Sequence, residues 1–320
     1  MDFRFTDEQR LYRDTLRAFV DKEIVPVARE WEQSGRYPTE IVEGMKQLGL
    51  FGLAVPEEYG GLAADTVSFA LTFEEISRGW MGIAGILGSH SVSCFLLANH
   101  GTEEQKQRYL PELATGARRT GIALTEPGAG TDLQGIRTTA RRDGDDYVID
   151  GTKMWITNAR HADPLPVLVK TDPSASPAHK GMSILLVEAG TPGFEVTADI
   201  GKLGYKGTES CEVVLDGVRV PSSQLLGGVE GRGLQQALSS LETGRINIAA
   251  RSVGIAQRAY DEALSYARER EAFGRPIGDF QAVQQRLAQT AVRLQAARLM
   301  TYHSAWLSDT EGPIPSTIAA

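Results

Sequence analysis

The segment Thr125-Glu126-Pro127-Gly128-Ala129-Gly130-Thr131-Asp132, followed by Met154-Trp155-Ile156-Thr157, carries the most information in this chain. The first piece is a turn of small residues flanked by hydroxyls, able to bring backbone amides against a pyrophosphate. The second sets a bulky aromatic two residues from a hydroxyl on a strand-like run, where both would point to the same face. Together they suggest a bound flavin nucleotide. Each piece also has a plainer reading. The first could be only a loop between a strand and a helix. The second could be a half-buried strand pair, with Trp155 as core and Thr157 as surface. The dinucleotide-binding glycine pattern of doubly wound folds fails, because Leu133 stands where its third glycine should be.

Working outward, residues 1–118 read as a helical domain. Thr6 with Gln9 makes a capping box, after which Tyr12, Leu16, Phe19, Val20, Ile24 and Val27 fall on one helical face. Pro26 lies inside that pattern and is expected to kink or end it. Further helices are expected over 39–48, 65–78 and 84–99, and a second capping box, Thr102 with Gln105, opens another before Pro111. Residues 119–228 read as a β domain with antiparallel connections. Short β-prone runs alternate there with Asp143-Gly144, Asp150-Gly151 and Asp216-Gly217, each suited to a tight hairpin turn. Cys211, Val213 and Leu215 alternate with Glu212, Val214 and Asp216. Crossover helices are missing, so a doubly wound sheet is excluded. Helix returns over 229–320, where long, largely apolar stretches call for a bundle. The fold class is therefore α+β, in the order helical, antiparallel β, helical. Residues Ile314 to Ala320 look like the first turn of another helix, and a truncated C-terminus is expected.

The totals exclude several classes. The formal net charge of −8 argues against nucleic acid as the main partner, while leaving room for an anionic ligand that needs only a few local Arg or Lys residues. Two cysteines are too few for a disulfide scaffold or an iron–sulfur cluster, and five histidines show no metal-ligand spacing. His90 is expected to be structural. The N-terminus has no charged-then-apolar signal, and no apolar run approaches ~20 residues. No membrane span and a cytoplasmic location are expected.

The two opening segments resemble the acyl-CoA dehydrogenase family. So do Pro56-Glu57-Glu58-Tyr59-Gly60-Gly61, Gly101-Thr102-Glu103-Glu104-Gln105-Lys106, Gly244-Arg245 and Arg270-Glu271-Ala272-Phe273-Gly274-Arg275-Pro276-Ile277, in that family's order and spacing. Short-chain and short/branched-chain members look nearest, through Gly244-Arg245-Ile246 and Gly254-Ile255-Ala256-Gln257. The resemblance implies FAD as cofactor. Leu124 and Thr125 would bond the flavin's pyrimidine edge, Gly130 would let the backbone approach, and Thr131 would lie near the pyrophosphate and the acyl-CoA. Trp155 would cover the isoalloxazine, Ile156 would also bind the cofactor, and Thr157 would donate toward flavin N5. Glu242 and Arg245 would meet the substrate, although Arg245 could simply pair with a carboxylate on a neighbouring helix. Arg270, Phe273 and Gln281 would reach the FAD of a neighbouring subunit, which implies an oligomer, most often a tetramer. The plainer reading is that they are ordinary helix-end and surface residues.

The implied reaction is α,β-dehydrogenation of an acyl-CoA thioester to the trans-2-enoyl-CoA, with an electron-transferring flavoprotein as acceptor. Some members carry the catalytic Glu immediately before the Arg of this motif. Here that position is Gly244, and Glu242 lies about 200° round the helix from it. The base is therefore unassigned and expected beyond Ala320. The alternatives are a non-catalytic subunit that binds flavin or acyl-CoA, and a flavin oxidase or monooxygenase on the same fold.

Overall fold

The computed structural model describes residues 4–312. The chain runs through α1 (Asp7–Phe19), a π-helical turn (Val20–Ile24), α2 (Val25–Ser34), α3 (Thr39–Gln47), α4 (Thr66–Gly79), α5 (Met81–His100) and α6 (Glu103–Thr115). Six strands follow, β1 (Thr139–Asp143), β2 (Asp146–Thr157), β3 (Leu165–Lys170), β4 (Met182–Val187), β5 (Phe194–Asp199) and β6 (Ser210–Pro221). Helix α7 (Gly233–Glu269), a short hairpin of β7 (Glu271–Ala272) and β8 (Arg275–Pro276), and α8 (Gln281–Glu311) complete it. The helix expected over 314–320 lies outside the described residues.

Local chemistry sets the helix starts. Thr6 and Gln9 exchange side-chain and backbone hydrogen bonds at 3.1 Å each, and Thr102 and Gln105 do the same at 3.0 and 3.2 Å. Pro26 does not end the first helical run. It has no N–H to offer the carbonyl four residues back, and the chain before it widens into the π-turn, where Val25 N–H bonds Val20 O. Pro111 likewise sits within α6 and does not stop it.

The six strands form one sheet in the order β4-β3-β1-β2-β6-β5. Every pairing is antiparallel except β1 with β3, which are parallel through Thr139 and Lys170. Of the three expected Asp-Gly hairpin turns, only the first is one: Asp143 pairs with Asp146 around Gly144 and Asp145. The other two meet each other as a β-bulge between β2 and β6. Register passes from Ile149/Val218 to Gly151/Leu215, so β6 carries one extra residue there, and Gly217 takes a left-handed φ of 62° while its N–H bonds Asp150 at 2.8 Å. Cys211, Val213 and Leu215 are buried, as their alternation predicts.

The residues fall into two compact units. One holds α1, α4, most of α7, the β7–β8 hairpin and α8. The other holds α3, most of α5, α6, the sheet and the first turns of α7. Contrary to the expectation that no apolar run approaches a membrane's thickness, Met81–His100 is long and apolar enough to cross one. It is a core helix instead, since 78% of its apolar window is buried inside the structure.

Within the second unit, α5 carries the fully buried His90. Thr120 N–H donates to its Nδ1 at 3.3 Å, so the ring proton sits on Nε2, which faces Phe51 O and Cys94 Sγ, each at 3.2 Å. Burial pushes this imidazole down to about 4, against the lift from the Phe51 and Leu113 carbonyls and helped by nearby Arg119. The folded-state value lies below the unfolded one. Stability from this group is therefore complete above about 6.5 and is lost as pH falls toward 4. Between pH 7 and pH 5 it should remove about 2 kcal/mol. Urea midpoints at both pH values should show a smaller acid loss in His90→Gln than in the natural chain.

Candidate active site

The residues after α6 run alongside β3, where Ala123 bridges Val167 in parallel, and reach the loop 127–136. Its mouth is tightly made. Glu126 N–H bonds Ala129 O at 2.9 Å and Ala129 N–H bonds Glu126 O at 3.1 Å, closing a reverse turn over Pro127 and Gly128. At the tip, Gly128, Gly130 and Thr131 are exposed, and a Cβ added to either glycine would meet no atom within 4 Å. The tip therefore presents open backbone that a ligand can approach. Neither glycine has a positive φ, so the small side chain matters for space and not for conformation.

Beside this loop, β2 carries a second bulge. Register passes from Lys153/Val213 to Ile156/Cys211, so Met154 and Trp155 together oppose Glu212. Trp155 takes φ 64°, an uncommon value for a bulky side chain, and its indole stands 51% exposed. Ile156 returns to the core and Thr157 is half-buried. Trp155 is exposed and Thr157 half-buried on either side of the buried Ile156, and the bulge, with its positive φ at Trp155, departs from the plain two-residue alternation expected for the pair. Met154 N–H donates to Thr125 O at 2.8 Å, which joins strand to loop.

Beneath that joint lies an ion pair. Lys153, with no exposure, donates to Glu126 Oε1 at 2.8 Å and to Leu124 O at 3.1 Å. Glu126 in turn accepts Arg137 N–H at 2.6 Å and Thr138 N–H at 3.0 Å. Burial pushes the ammonium down to about 8 despite its partner. Burial also raises the Glu126 carboxyl, but Lys153, Thr138 and Arg137 outweigh it and hold the group below its usual range.

The strand's far end is equally fixed. Asn158 turns with φ 65° and donates to Ile86 O at 2.9 Å and Thr120 O at 3.1 Å. Glu209, one residue before the Ser210 that pairs with Thr157, accepts Arg160 N–H at 3.1 Å, and burial raises its carboxyl. Glu126, Lys153, Asn158 and Glu209 were given no role from sequence. A charged Lys153 within an otherwise strand-like run, and an Asn at the strand's end, were the available signals.

The remaining candidates stand elsewhere. Glu242, half-buried, and Arg245, exposed, are three residues apart on α7 and so share a side of that helix. Arg270, Phe273 and Gln281 surround the β7–β8 hairpin in the other unit. Its two-residue turn, Phe273-Gly274, has φ values of 54° and 78°, and Phe273 is 96% exposed at the tip, edge-on to Phe280. The structure brings together Leu124, Thr125, Gly130, Thr131, Trp155, Ile156 and Thr157 on one framework.

Residues 6–117, 121–218 and 231–320 match the N-terminal, middle and C-terminal domains of acyl-CoA dehydrogenase, in that order. The chain is 42% identical over 321 residues to the probable acyl-CoA dehydrogenase YngJ of Bacillus subtilis (strain 168), covering 100% of this chain and 84% of that protein. It is similar to the butyryl-CoA dehydrogenase structure from Megasphaera elsdenii, with TM-score 0.94 and 34% identity, over 100% of this chain and 84% of that one. A glutaryl-CoA dehydrogenase from Mycobacterium smegmatis in complex with FADH2 gives TM-score 0.91 and 34% identity, over 98% and 79%.

The chain belongs to the acyl-CoA dehydrogenase family. It is a flavoprotein oxidoreductase acting on CH–CH groups, and its reaction is the FAD-dependent conversion of an acyl-CoA thioester to the trans-2-enoyl-CoA. The residues present fit that cofactor. The open Gly128/Gly130 tip leaves room for a pyrophosphate, and an outward indole and a half-buried hydroxyl stand on the adjoining strand.

Proposed function

We propose that the loop and the bulged strand hold FAD in the roles implied by the sequence. Leu124 and Thr125 take the pyrimidine edge, Gly130 and Thr131 the pyrophosphate, and Trp155, Ile156 and Thr157 the ring system. The observation that carries this reading is the Met154–Thr125 hydrogen bond at 2.8 Å, which makes the open tip and the outward Trp155 parts of one frame. Bound FAD supplies the hydride acceptor. The chain's contribution is to orient and exclude: Trp155 offers an aromatic cover, and the Thr157 hydroxyl is a donor placed where negative charge would build.

The acyl-CoA is held by Thr131, Glu242 and Arg245, and its acyl chain is short or branched. An electron-transferring flavoprotein takes the electrons in fatty acid metabolism in the cytoplasm. The domains divide at 118/119 and 228/229. The protein works as a homotetramer in which Arg270, Phe273 and Gln281 of one subunit reach the FAD of the next. Two features support association. Phe273 is a bare aromatic at a hairpin tip, and α8 exposes apolar Val292, Leu299 and Trp306 at seven-residue spacing.

The reading is tested by the visible spectrum of the purified protein, followed by anaerobic titration with butyryl-CoA and 2-methylbutyryl-CoA. A bound flavin spectrum bleached by either thioester is the expected result. Flavin that no thioester bleaches would favour a non-catalytic subunit, and protein that takes up no FAD would sink the proposal. Faster turnover with oxygen than with a dye acceptor would favour an oxidase.

A further inference from the structure

Resting on the FAD reading above, we infer that the buried Lys153–Glu126 pair is the positioning device of the flavin site, joining its two binding segments and setting an ammonium against the Leu124–Thr125 peptide. Four hydrogen bonds converge on it. Lys153 uses two of its three protons, one on the Leu124 carbonyl at 3.1 Å and one on Glu126 at 2.8 Å. The same carboxylate grips the returning chain at Arg137 and Thr138, so residues 127–136 form a loop closed at its neck by one side chain. Two residues beyond Lys153 the strand turns out Trp155, and four beyond it stands Thr157. A shift of the ammonium would therefore be felt at Leu124 and Thr125 on one side and at Trp155 and Thr157 on the other.

Stability alone does not call for this pair. Taking both charges out of water is costly, and well-packed apolar residues of similar size commonly serve the fold as well or better. What an apolar pair would not supply is the charge. Lys153 has no exposure and Glu126 only 8%, so little water lies between the ammonium and the Leu124 peptide. An ammonium bonded to the Leu124 carbonyl, its balancing carboxylate turned to the Arg137 and Thr138 amides, polarises the Leu124–Thr125 peptide. That makes the Thr125 N–H a stronger donor, which stabilises electron density gathering on a neighbouring ring and would raise the flavin's reduction potential. Neither residue touches the reacting atoms in this assignment, and both act through the backbone they hold.

The test compares the full-length natural protein with Lys153→Met, Lys153→Arg and the double variant Lys153→Met/Glu126→Gln. FAD affinity is read by fluorescence quenching, midpoint potential by dye equilibration, and amide exchange at Arg137 and Thr138 by mass spectrometry. Lys153→Met should bind FAD more weakly, carry it at a more negative potential and exchange those amides faster. Misplacement of the ring should slow its reduction by on the order of 10²-fold. The double variant removes the stranded carboxylate charge and should recover folding, yet keep the lowered potential, which a merely structural pair would not do. Lys153→Arg should retain the potential. A double variant with the natural potential overturns the inference, as does a Lys153→Met protein with unaltered FAD affinity and potential. A natural protein that takes up no FAD overturns the FAD reading and this inference with it. Uptake by the natural protein with unchanged variants overturns the inference alone.

Discussion

Glu75→Gln should destabilise the helical unit by about 3 kcal/mol, since removing one partner of a buried ion pair leaves the other uncompensated. Glu75 lies on α4 with its side chain 3% exposed. Arg17 of α1 binds it in a fork, Nη2 to Oε1 at 2.6 Å and Nε to Oε2 at 3.1 Å, and Arg78 adds Nε to Oε2 at 3.1 Å. The three positions should not be equivalent. Arg17 is 46% exposed and can turn to water when its partner is lost, whereas Arg78 is only 12% exposed. Arg78 keeps a second partner in Asp21 at 2.7 Å, which sets the loss at the lower end of the usual range. Urea unfolding should therefore rank the changes Glu75→Gln above Arg78→Met, with Arg17→Met the mildest. Equal losses at all three would mean that burial of the carboxylate does not govern the cluster.

What could be read from the sequence divides by distance along the chain. Capping boxes act over three residues, and Thr6/Gln9 and Thr102/Gln105 both form as read. Helix content and domain order rest on periodicity, a signal nearly as local, and the helices over 39–48, 65–78 and 84–99 appear within a few residues of those limits. The Asp-Gly pairs show where this stops. Asp143-Gly144 and Asp216-Gly217 are alike as dipeptides. One turns a hairpin and the other bulges a strand, because the second has Asp150 of another strand across from it. Only the register distinguishes them.

The site divides in the same way. The two diagnostic segments stand out as composition, and both lie where one frame joins them. The joint itself could not be read, because Lys153 and Glu126 are 27 residues apart and meet only after β2 has taken its place. Nor could the bulge that turns Trp155 outward, since it depends on a one-residue mismatch with β6. The apolar helix Met81–His100 is the converse case. By length and composition it passes for a membrane span, and only its neighbours make it a core element.

Gly121→Ala and Gly128→Ala should separate what the frame does from what the tip does. A Cβ on Gly121 would lie 2.3 Å from the Thr157 carbonyl oxygen, and that obstacle is backbone that cannot swing aside. Gly121 is itself held by Ser93, whose hydroxyl donates to its carbonyl at 2.8 Å, while Asn158 pins the chain after Thr157 to Ile86 and Thr120. Overpacking there should cost about 1–3 kcal/mol. The relief must come from moving Thr157, so flavin reduction by substrate should fall by on the order of 10²-fold, more than the stability loss alone implies. Gly128→Ala meets no atom within 4 Å and should leave the urea midpoint within about 0.5 kcal/mol of the natural protein. In the FAD reading proposed above, its methyl group would stand at the open tip where the pyrophosphate is seated, so FAD affinity should drop while the flavin that does bind is reduced at the natural rate. The pair is decided by measuring unfolding, FAD affinity and single-turnover reduction on both. If Gly128→Ala binds FAD as tightly as the natural protein, the loop tip is not the pyrophosphate's seat. If Gly121→Ala reduces its flavin at the natural rate, Thr157 does not set the position of the ring.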